Sequence, residues 1–279
     1  MTRLDVELVV RGLAPSRTRA QRLVEAGRVH LNGELVSRTS HPVATTDSLL
    51  IEPSPGEEYV SRAGHKLAGA LDALAASPAG GPVVTGRRAL DAGASTGGFT
   101  DVLLRRGAAH VVAVDVGSDQ LDSSLRGHPN ITLLERVNVR DLLPEQVAPA
   151  PDLLVADLSF ISLTLVLAPL SHCVADDADA LVLIKPQFEV GRARLGSGGI
   201  VNDARARRQA IIDVLMSAGA AGWSTRALLP SSLPGTHGNL EFVAWLRRSP
   251  HAVVPESAIA MLADRVTAGD LVLADWSTS

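Results

Sequence analysis

The chain has 279 residues, 46% hydrophobic and 20% charged, which is ample for a core and too long for one small domain, so one or two domains are expected. A formal net charge of -4 excludes a globally basic nucleic-acid binder, leaving only a local patch for such a role. The single cysteine, Cys173, excludes an internal disulfide, and aromatic residues are too few (3%) to dominate core or ligand contacts.

Two short helical patterns come first. Val6, Val9 and Val10 give one, stopped by Gly12; Ser16 can cap the second, whose apolar face is Ala20, Leu23 and Val24 and whose end is Gly27. Val29–Leu31 and Glu34–Val36 flank Asn32-Gly33, a pair that tolerates the positive φ angles of a two-residue hairpin turn. Pro53, Ser54, Pro55 and Gly56 then break regular structure. The division expected is a small α+β domain over 1–52, a linker over 53–62, and a larger domain over 63–279. In that larger part, Leu67, Ala70, Leu71 and Leu74 recur at helical spacing.

Short apolar strands then alternate with helices. The strands expected are Ala89–Ala92, His110–Asp115, Ile131–Leu134, Leu153–Asp157, Ala180–Lys185, Thr225–Leu229 and Glu241–Leu246. Helices are expected near Gly98–Arg106, Gln120–Arg126, Leu163–Val174 and Asp203–Ala218, with an amphipathic helix at Pro255–Thr267. Such alternation implies an α/β fold: a seven-stranded, mostly parallel sheet with helices on both faces. Its ligand site should lie beyond the carboxyl ends of the strands, where strand order reverses. The longest apolar stretches, such as Phe160–Leu170, fall short of the roughly 20 residues a spanning helix needs, and the N-terminus lacks a signal-peptide core. A soluble cytoplasmic protein is expected.

The sharpest local signal is Leu90-Asp91-Ala92-Gly93-Ala94-Ser95-Thr96-Gly97-Gly98-Phe99-Thr100, a strand running into a glycine-rich turn and a helix. Missing side chains let a ligand approach the backbone, and helix-start amides offer donors. The competing reading is tight strand-to-helix packing. Ser95 stands where the dinucleotide pattern G-x-G-x-x-G has its middle glycine, which counts against NAD or FAD. Asp115 ends the next strand, placed to hydrogen-bond ribose hydroxyls of a dinucleotide or of S-adenosylmethionine, or else is a solvated strand end. Asn138 and Val139 follow the third strand and could meet an adenine.

A second, dispersed set is Lys66, Asp157, Lys185 and Glu241. Asp157 and Lys185 each terminate an apolar strand, and Glu241 opens one, where a carboxylate is out of place without a partner. In this order the four resemble the Lys-Asp-Lys-Glu set of FtsJ-type 2′-O-ribose methyltransferases. The whole chain is similar to the TlyA family of rRNA methyltransferases, some labelled haemolysins. The segments that carry this are Ser61–Leu67, Leu90–Phe99, Ala156–Leu163, Lys185–Gly191 and Gly238–Phe242; Tyr59 stands where the family carries Trp. The resemblance implies a Rossmann-like class I methyltransferase that binds S-adenosylmethionine through Asp91, Gly93–Phe99, Asp115, Asn138, Val139 and Asp157. It also implies cytidines of 16S and 23S rRNA, within ribosomal subunits or ribosomes, as targets.

The chemistry of the four residues can be argued separately. A ribose 2′-hydroxyl is a very weak acid, so methyl transfer benefits from a base. A lysine accepts a proton only in its neutral form, which burial or a neighbouring cation favours. Lys185 is the expected acceptor, with Asp157 positioning it, Lys66 supplying the neighbouring charge, and Glu241 anchoring both lysines. The sulfonium carries its own leaving group, so no metal is required, and no histidine or cysteine spacing suggests one.

Arg3-Leu4-Asp5, Arg11-Gly12-Leu13, Ser16-Arg17 and Gly27–Gly33 resemble the S4 RNA-binding domain. Through Arg38 this segment has seven arginines (Arg3, Arg11, Arg17, Arg19, Arg22, Arg28, Arg38) against Asp5, Glu7, Glu25 and Glu34. Arg3, Arg11, Ser16, Arg17, Arg28 and Arg38 are the candidate RNA contacts. A second basic zone, Lys185, Arg192, Arg194, Arg205, Arg207 and Arg208, surrounds Gly191, Gly196, Gly198 and Gly199; it reads equally as an RNA-closing loop or a solvated one. Two rival functions stay open: a haemolysin-like membrane-active protein, and a non-catalytic RNA-binding protein on the same scaffold.

Overall fold

Apolar side chains gather into separate cores in two units, Met1–Glu58 and Tyr59–Ser279. The computed structural model describes residues 2–14, 17–25, 27–51, 59–191, 195–235, 238–249 and 255–274, with side chains of 18, 19, 22 and 197 left aside. Ser16, residues 53–58 of the expected linker, Arg192 and Arg194, and the Arg19 and Arg22 side chains therefore lie outside the described residues.

In the first unit, β1 (Thr2–Arg3) leads into α1 (Leu4–Val10) and α2 (Arg17–Glu25), followed by β2 (Val29–Leu31), β3 (Glu34–Leu35), β4 (Pro42–Val43) and β5 (Leu49–Ile51). The hairpin forms as expected: Leu31 faces Glu34, and Asn32 and Gly33 take φ of 53° and 87°. The face of α1 differs from expectation. Leu4 and Leu8 are fully buried against Ala20, Leu23, Val24 and Val29, whereas Val10 is 72% exposed. The valines mislead because Asp5 and Glu7, which share the buried side, are masked as polar in the pattern; each is neutralised by arginine.

The second unit begins with α3 (Arg62–Ala75) and continues β6 (Arg88–Ala92), α4 (Gly98–Arg105), β7 (His110–Asp115), β8 (Ile131–Glu135), α5 (Pro144–Val147) and β9 (Leu153–Ala156). Then follow α6 (Leu167–His172), β10 (Asp179–Ile184), α7 (Pro186–Glu189), α8 (Ala204–Ala220), β11 (Trp223–Pro230), β12 (Phe242–Arg248), α9 (Glu256–Thr267) and β13 (Val272–Leu273). Among the described residues the sheet has eight strands, ordered β13-β11-β12-β10-β9-β6-β7-β8, rather than seven. The extra one, β13, is a two-residue edge too short to leave a periodic signal. Pairing from β8 to β10 is parallel, while β12 runs antiparallel between β10 and β11.

Alternate residues of one strand feed opposite faces. Leu90, Ala92, Val112 and Val114 pack with residues of α6, α8 and α9, whereas Ala89, Val111, Leu153 and Val155 pack with α3 and α4. Burial on both faces explains why the central strands read as continuous apolar runs. Two expected helices fail. Residues 120–126 form turns, because the Asp122 carboxylate takes the Ser124 amide (2.9 Å) and hydroxyl (2.8 Å), a local alternative to helix. The stretch 163–174 splits into a 3-10 turn, Leu163–Leu165, capped by Ser162, and α6. Glu241 immediately precedes β12 instead of opening it.

Candidate active site

Strand order reverses at β6, which pairs with β7 on one side and β9 on the other. Ala92 lies opposite Ala156, so Gly93 and Asp157 emerge side by side at the switch point, and the Asp157 amide donates to the Ala92 carbonyl at 3.2 Å. The turn after β6 uses positive φ at Gly93 (86°), Ser95 (48°) and Gly97 (91°). A Cβ at Gly93 would lie 2.9 Å from Leu158 Cδ2; at Gly97 one would strike Leu121 and Leu125, and at Gly98 Ser61 and the Gly64 backbone. Close protein packing therefore demands these glycines. The same turn, Gly93–Thr96, also lines a cavity of about 130 Å³ with Ser61, Phe99, Asp157, Ser159 and Lys185.

The polar groups around this turn suit a nucleoside-bearing, cationic ligand. Asp115 accepts the Ser95 amide (2.8 Å) on one carboxylate oxygen and the Gly117 amide (2.7 Å) on the other, keeping a lone pair on each for ribose hydroxyls. Asp91 is fully buried; its Oδ2 accepts the Thr100 hydroxyl at 2.6 Å, while Oδ1 has no hydrogen-bond partner among the described residues. Burial pushes this carboxyl up to about 7, with the Asp157 and Asp115 charges adding to the rise. An orphaned buried acceptor of this kind fits a ligand donor. Asn138 is exposed and caps a 3-10 turn through the Arg140 amide (3.1 Å). The Val139 and Phe99 side chains belong to the two core clusters, so each can meet a ligand chiefly through its backbone.

The dispersed tetrad assembles as two ion pairs. Lys185 Nζ lies 2.5 Å from Asp157 Oδ1, a charge contact without hydrogen-bond alignment, and donates to Ser159 Oγ at 3.1 Å. Lys66 Nζ donates to Glu241 Oε2 at 2.5 Å. Registers explain the gathering: Val182 faces Ala156, and Ile184 faces Phe242, so Asp157, Lys185 and Glu241 all stand just past paired strand ends. Lys66 comes from the second turn of α3. Glu241 is paired with Lys66 and with the Gln187 amide (3.0 Å), and Asp157 with Lys185, so each lysine has its own carboxylate instead of a shared anchor. All four are largely buried, which makes the pairing obligatory.

Lys66, Lys185, Gln187 and Glu241 line a second cleft of about 710 Å³, which Phe160 and Phe188 also line. Lys185 and Ser159 line both this cleft and the glycine-turn cavity, marking where the two meet. Ser159, Gln187 and the Phe160–Phe188 pair (centroids 5.1 Å apart) lacked assigned roles in the sequence reading. One signal there went unused. The chain contains only two lysines, Lys66 and Lys185, and both are in this site; every other basic side chain of fixed charge is arginine.

In the first unit the candidate RNA contacts divide. Arg11 is spent internally, donating to Glu7 (2.9 Å) and to the Asp47 (2.5 Å) and Ala44 (2.8 Å) carbonyls. Arg3 and Arg17 both bond Asp5, whose carboxyl they hold well below the usual range, yet their side chains stay about half exposed (47% and 57%). Arg38 is exposed and Arg28 half-buried.

A family model described as FtsJ-like methyltransferase matches residues 59–248, and one described as S4 domain matches residues 2–49. The chain is 49% identical over 245 residues to the 16S/23S rRNA (cytidine-2′-O)-methyltransferase TlyA of Mycobacterium tuberculosis, covering 88% of this chain and 89% of the relative. It is 36% identical over 244 residues to a protein named Hemolysin A from Brachyspira hyodysenteriae, covering 87% and 98%. A solved structure from Streptococcus thermophilus, also described as a hemolysin, superposes with a TM-score of 0.70 at 36% identity, covering 95% of this chain and 94% of that one. The chain belongs to the FtsJ-like methyltransferases and, within them, to the TlyA family, with an S4 domain ahead of the catalytic unit.

Proposed function

We propose that this enzyme methylates the ribose 2′-oxygen of cytidines in 16S or 23S rRNA, using S-adenosylmethionine. The observation that carries the reading is the junction of the two cavities at Lys185: a donor held along Gly93–Thr96 and a hydroxyl entering the larger cleft would meet there. When bound, S-adenosylmethionine supplies an electrophilic methyl group on a positively charged sulfur. Asp115 and the unpartnered Asp91 Oδ1 are the groups of this chain suited to hold it.

The remaining work falls to the paired lysines. Asp157 and Ser159 fix the Lys185 ammonium end on one side, so its reactive direction is set before substrate arrives. In its neutral form Lys185 takes the 2′-hydroxyl proton as the oxygen–carbon bond forms. Lys66, steadied by Glu241 and through it by Gln187, places a positive charge beside the incoming sugar-phosphate. Exposed arginines of the S4 unit, Arg38 foremost, would contact the RNA backbone by shape and charge.

The name hemolysin, borne by the Brachyspira relative, suggests membrane lysis as a rival. Among the described residues no helix is long and apolar enough to cross a membrane. Two buried lysine–carboxylate pairs beside a nucleoside-type turn have a role in methyl transfer and none in lysis. The test is incubation with labelled S-adenosylmethionine and unmodified ribosomal subunits, followed by mapping of ribose methylation. Incorporation at cytidine 2′-oxygens is expected, and none into either subunit would defeat the assignment.

A further inference from the structure

One half-buried carboxylate beside the site has no part in the chemistry described so far. Glu189 ends the one-turn helix α7, four residues after Lys185, which immediately precedes the same helix. Its carboxylate crosses to the loop that follows β9: Oε2 accepts the Ser162 hydroxyl at 2.5 Å and Oε1 accepts the Leu163 amide at 2.9 Å. That loop carries Asp157 and Ser159, the two polar groups in contact with the Lys185 amine among the described residues. Between the two connections lies Phe160, 92% exposed with φ of 64°, a conformation a bulky residue keeps only under constraint. The loops after β9 and β10 are thus joined at both ends, at Lys185 and at Glu189, with the Phe160–Phe188 contact between.

We propose that Glu189 is a positioning residue for Lys185: by bracketing Ser162 and Leu163 it holds the 157–163 loop so that Asp157 and Ser159 face the Lys185 amine. The proposal rests on Lys185 as the proton acceptor. A carboxylate serves here because it offers two acceptor oxygens to two donors in one rigid fork. Burial pushes the Glu189 carboxyl up, with Asp213 adding to the rise, and its two hydrogen bonds work against that shift. The group is therefore kept where it is disfavoured in return for the bracket it makes.

The experiment uses the full chain and two readouts. Turnover on ribosomal subunits is measured together with the dissociation constant for S-adenosylmethionine. Separately, the two lysines, the only side-chain amines in the sequence, are labelled with an amine-reactive ester and quantified by mass spectrometry, Lys66 serving as the internal reference. Glu189→Ala should lower kcat at least about tenfold with cofactor affinity within about twofold, and raise the Lys185-to-Lys66 labelling ratio about fivefold. Glu189→Gln, whose amide can accept from Leu163 and donate to Ser162, should restore both. Ser162→Ala should move both readouts in the direction of Glu189→Ala, by less. An unchanged labelling ratio in folded Glu189→Ala overturns the proposal, as does a kcat within about twofold of the wild type; if that variant does not fold, an unchanged ratio in Ser162→Ala overturns it. A wild-type protein inactive on subunits would defeat the methyl-transfer reading instead, while the labelling ratio still decides the role of Glu189.

Discussion

Replacing Asp91 with asparagine gives a pH-dependent stability whose sign and size follow from the structure. The carboxyl is fully buried, one oxygen has no partner among the described residues, and burial pushes its pKa up from 3.8 to about 7. Between those values the folded protein keeps a proton that the unfolded chain releases, so stability falls as pH rises and the full penalty is present above pH 7. Three pKa units at about 1.4 kcal/mol each make that penalty about 4 kcal/mol. Asparagine mimics the protonated acid: its oxygen can still accept from Thr100 and its NH₂ takes the place of Oδ1–H. Titrating groups that do not interact with Asp91 are shared by the two proteins and cancel in their difference. Urea unfolding without cofactor at pH 5 and pH 8.5 should therefore show Asp91→Asn gaining about 3 kcal/mol on the wild type between the two conditions. The same substitution removes the orphaned acceptor, so affinity for S-adenosylmethionine should fall. A stability difference that is flat with pH, or that shrinks toward pH 8.5, would refute this account of Asp91.

Three further outcomes are expected. Lys185→Ala should abolish methyl transfer while calorimetry shows cofactor affinity nearly intact; retained turnover would remove Lys185 from the mechanism. Gly97→Ala combines a φ of 91° with a collision against Leu121 and Leu125, so denaturation should show a loss of about 3 kcal/mol together with weaker cofactor binding. Arg11→Ala should destabilise the S4 unit, because the guanidinium joins α1 to the 44–47 loop, whereas Arg38→Ala should leave stability alone and lower RNA affinity and its salt dependence. Thermal melts and filter binding separate the two arginines.

Much of the candidate site was legible because its parts are local. An apolar strand followed by Gly93, Gly97 and Gly98 announces a tight turn whatever surrounds it. A charged residue ending an apolar run, as at Asp157 and Lys185, announces a strand end at a crevice. What the glycines are for was less legible: the neighbours that forbid a Cβ at Gly97 come from residues 121 and 125, which the sequence pattern placed in a helix that does not form. The Glu189 bracket was invisible for the same reason, since its partners lie 26 and 27 residues away on another loop.

Taken alone, the sequence determined the alternation of strands and helices and the Asn32-Gly33 hairpin, and it offered the candidate side chains of the site, because backbone preference and side-chain periodicity act over a few residues. Tertiary structure alone decided which lysine meets which carboxylate. Lys66 and Glu241 are separated by 175 positions, and their meeting depends on β12 inserting antiparallel beside β10 while α3 packs across the opposite face of the sheet's core from α8. No local preference encodes that choice. It is fixed by burial of two apolar faces and by the desolvation of charges that, once buried, must find a partner.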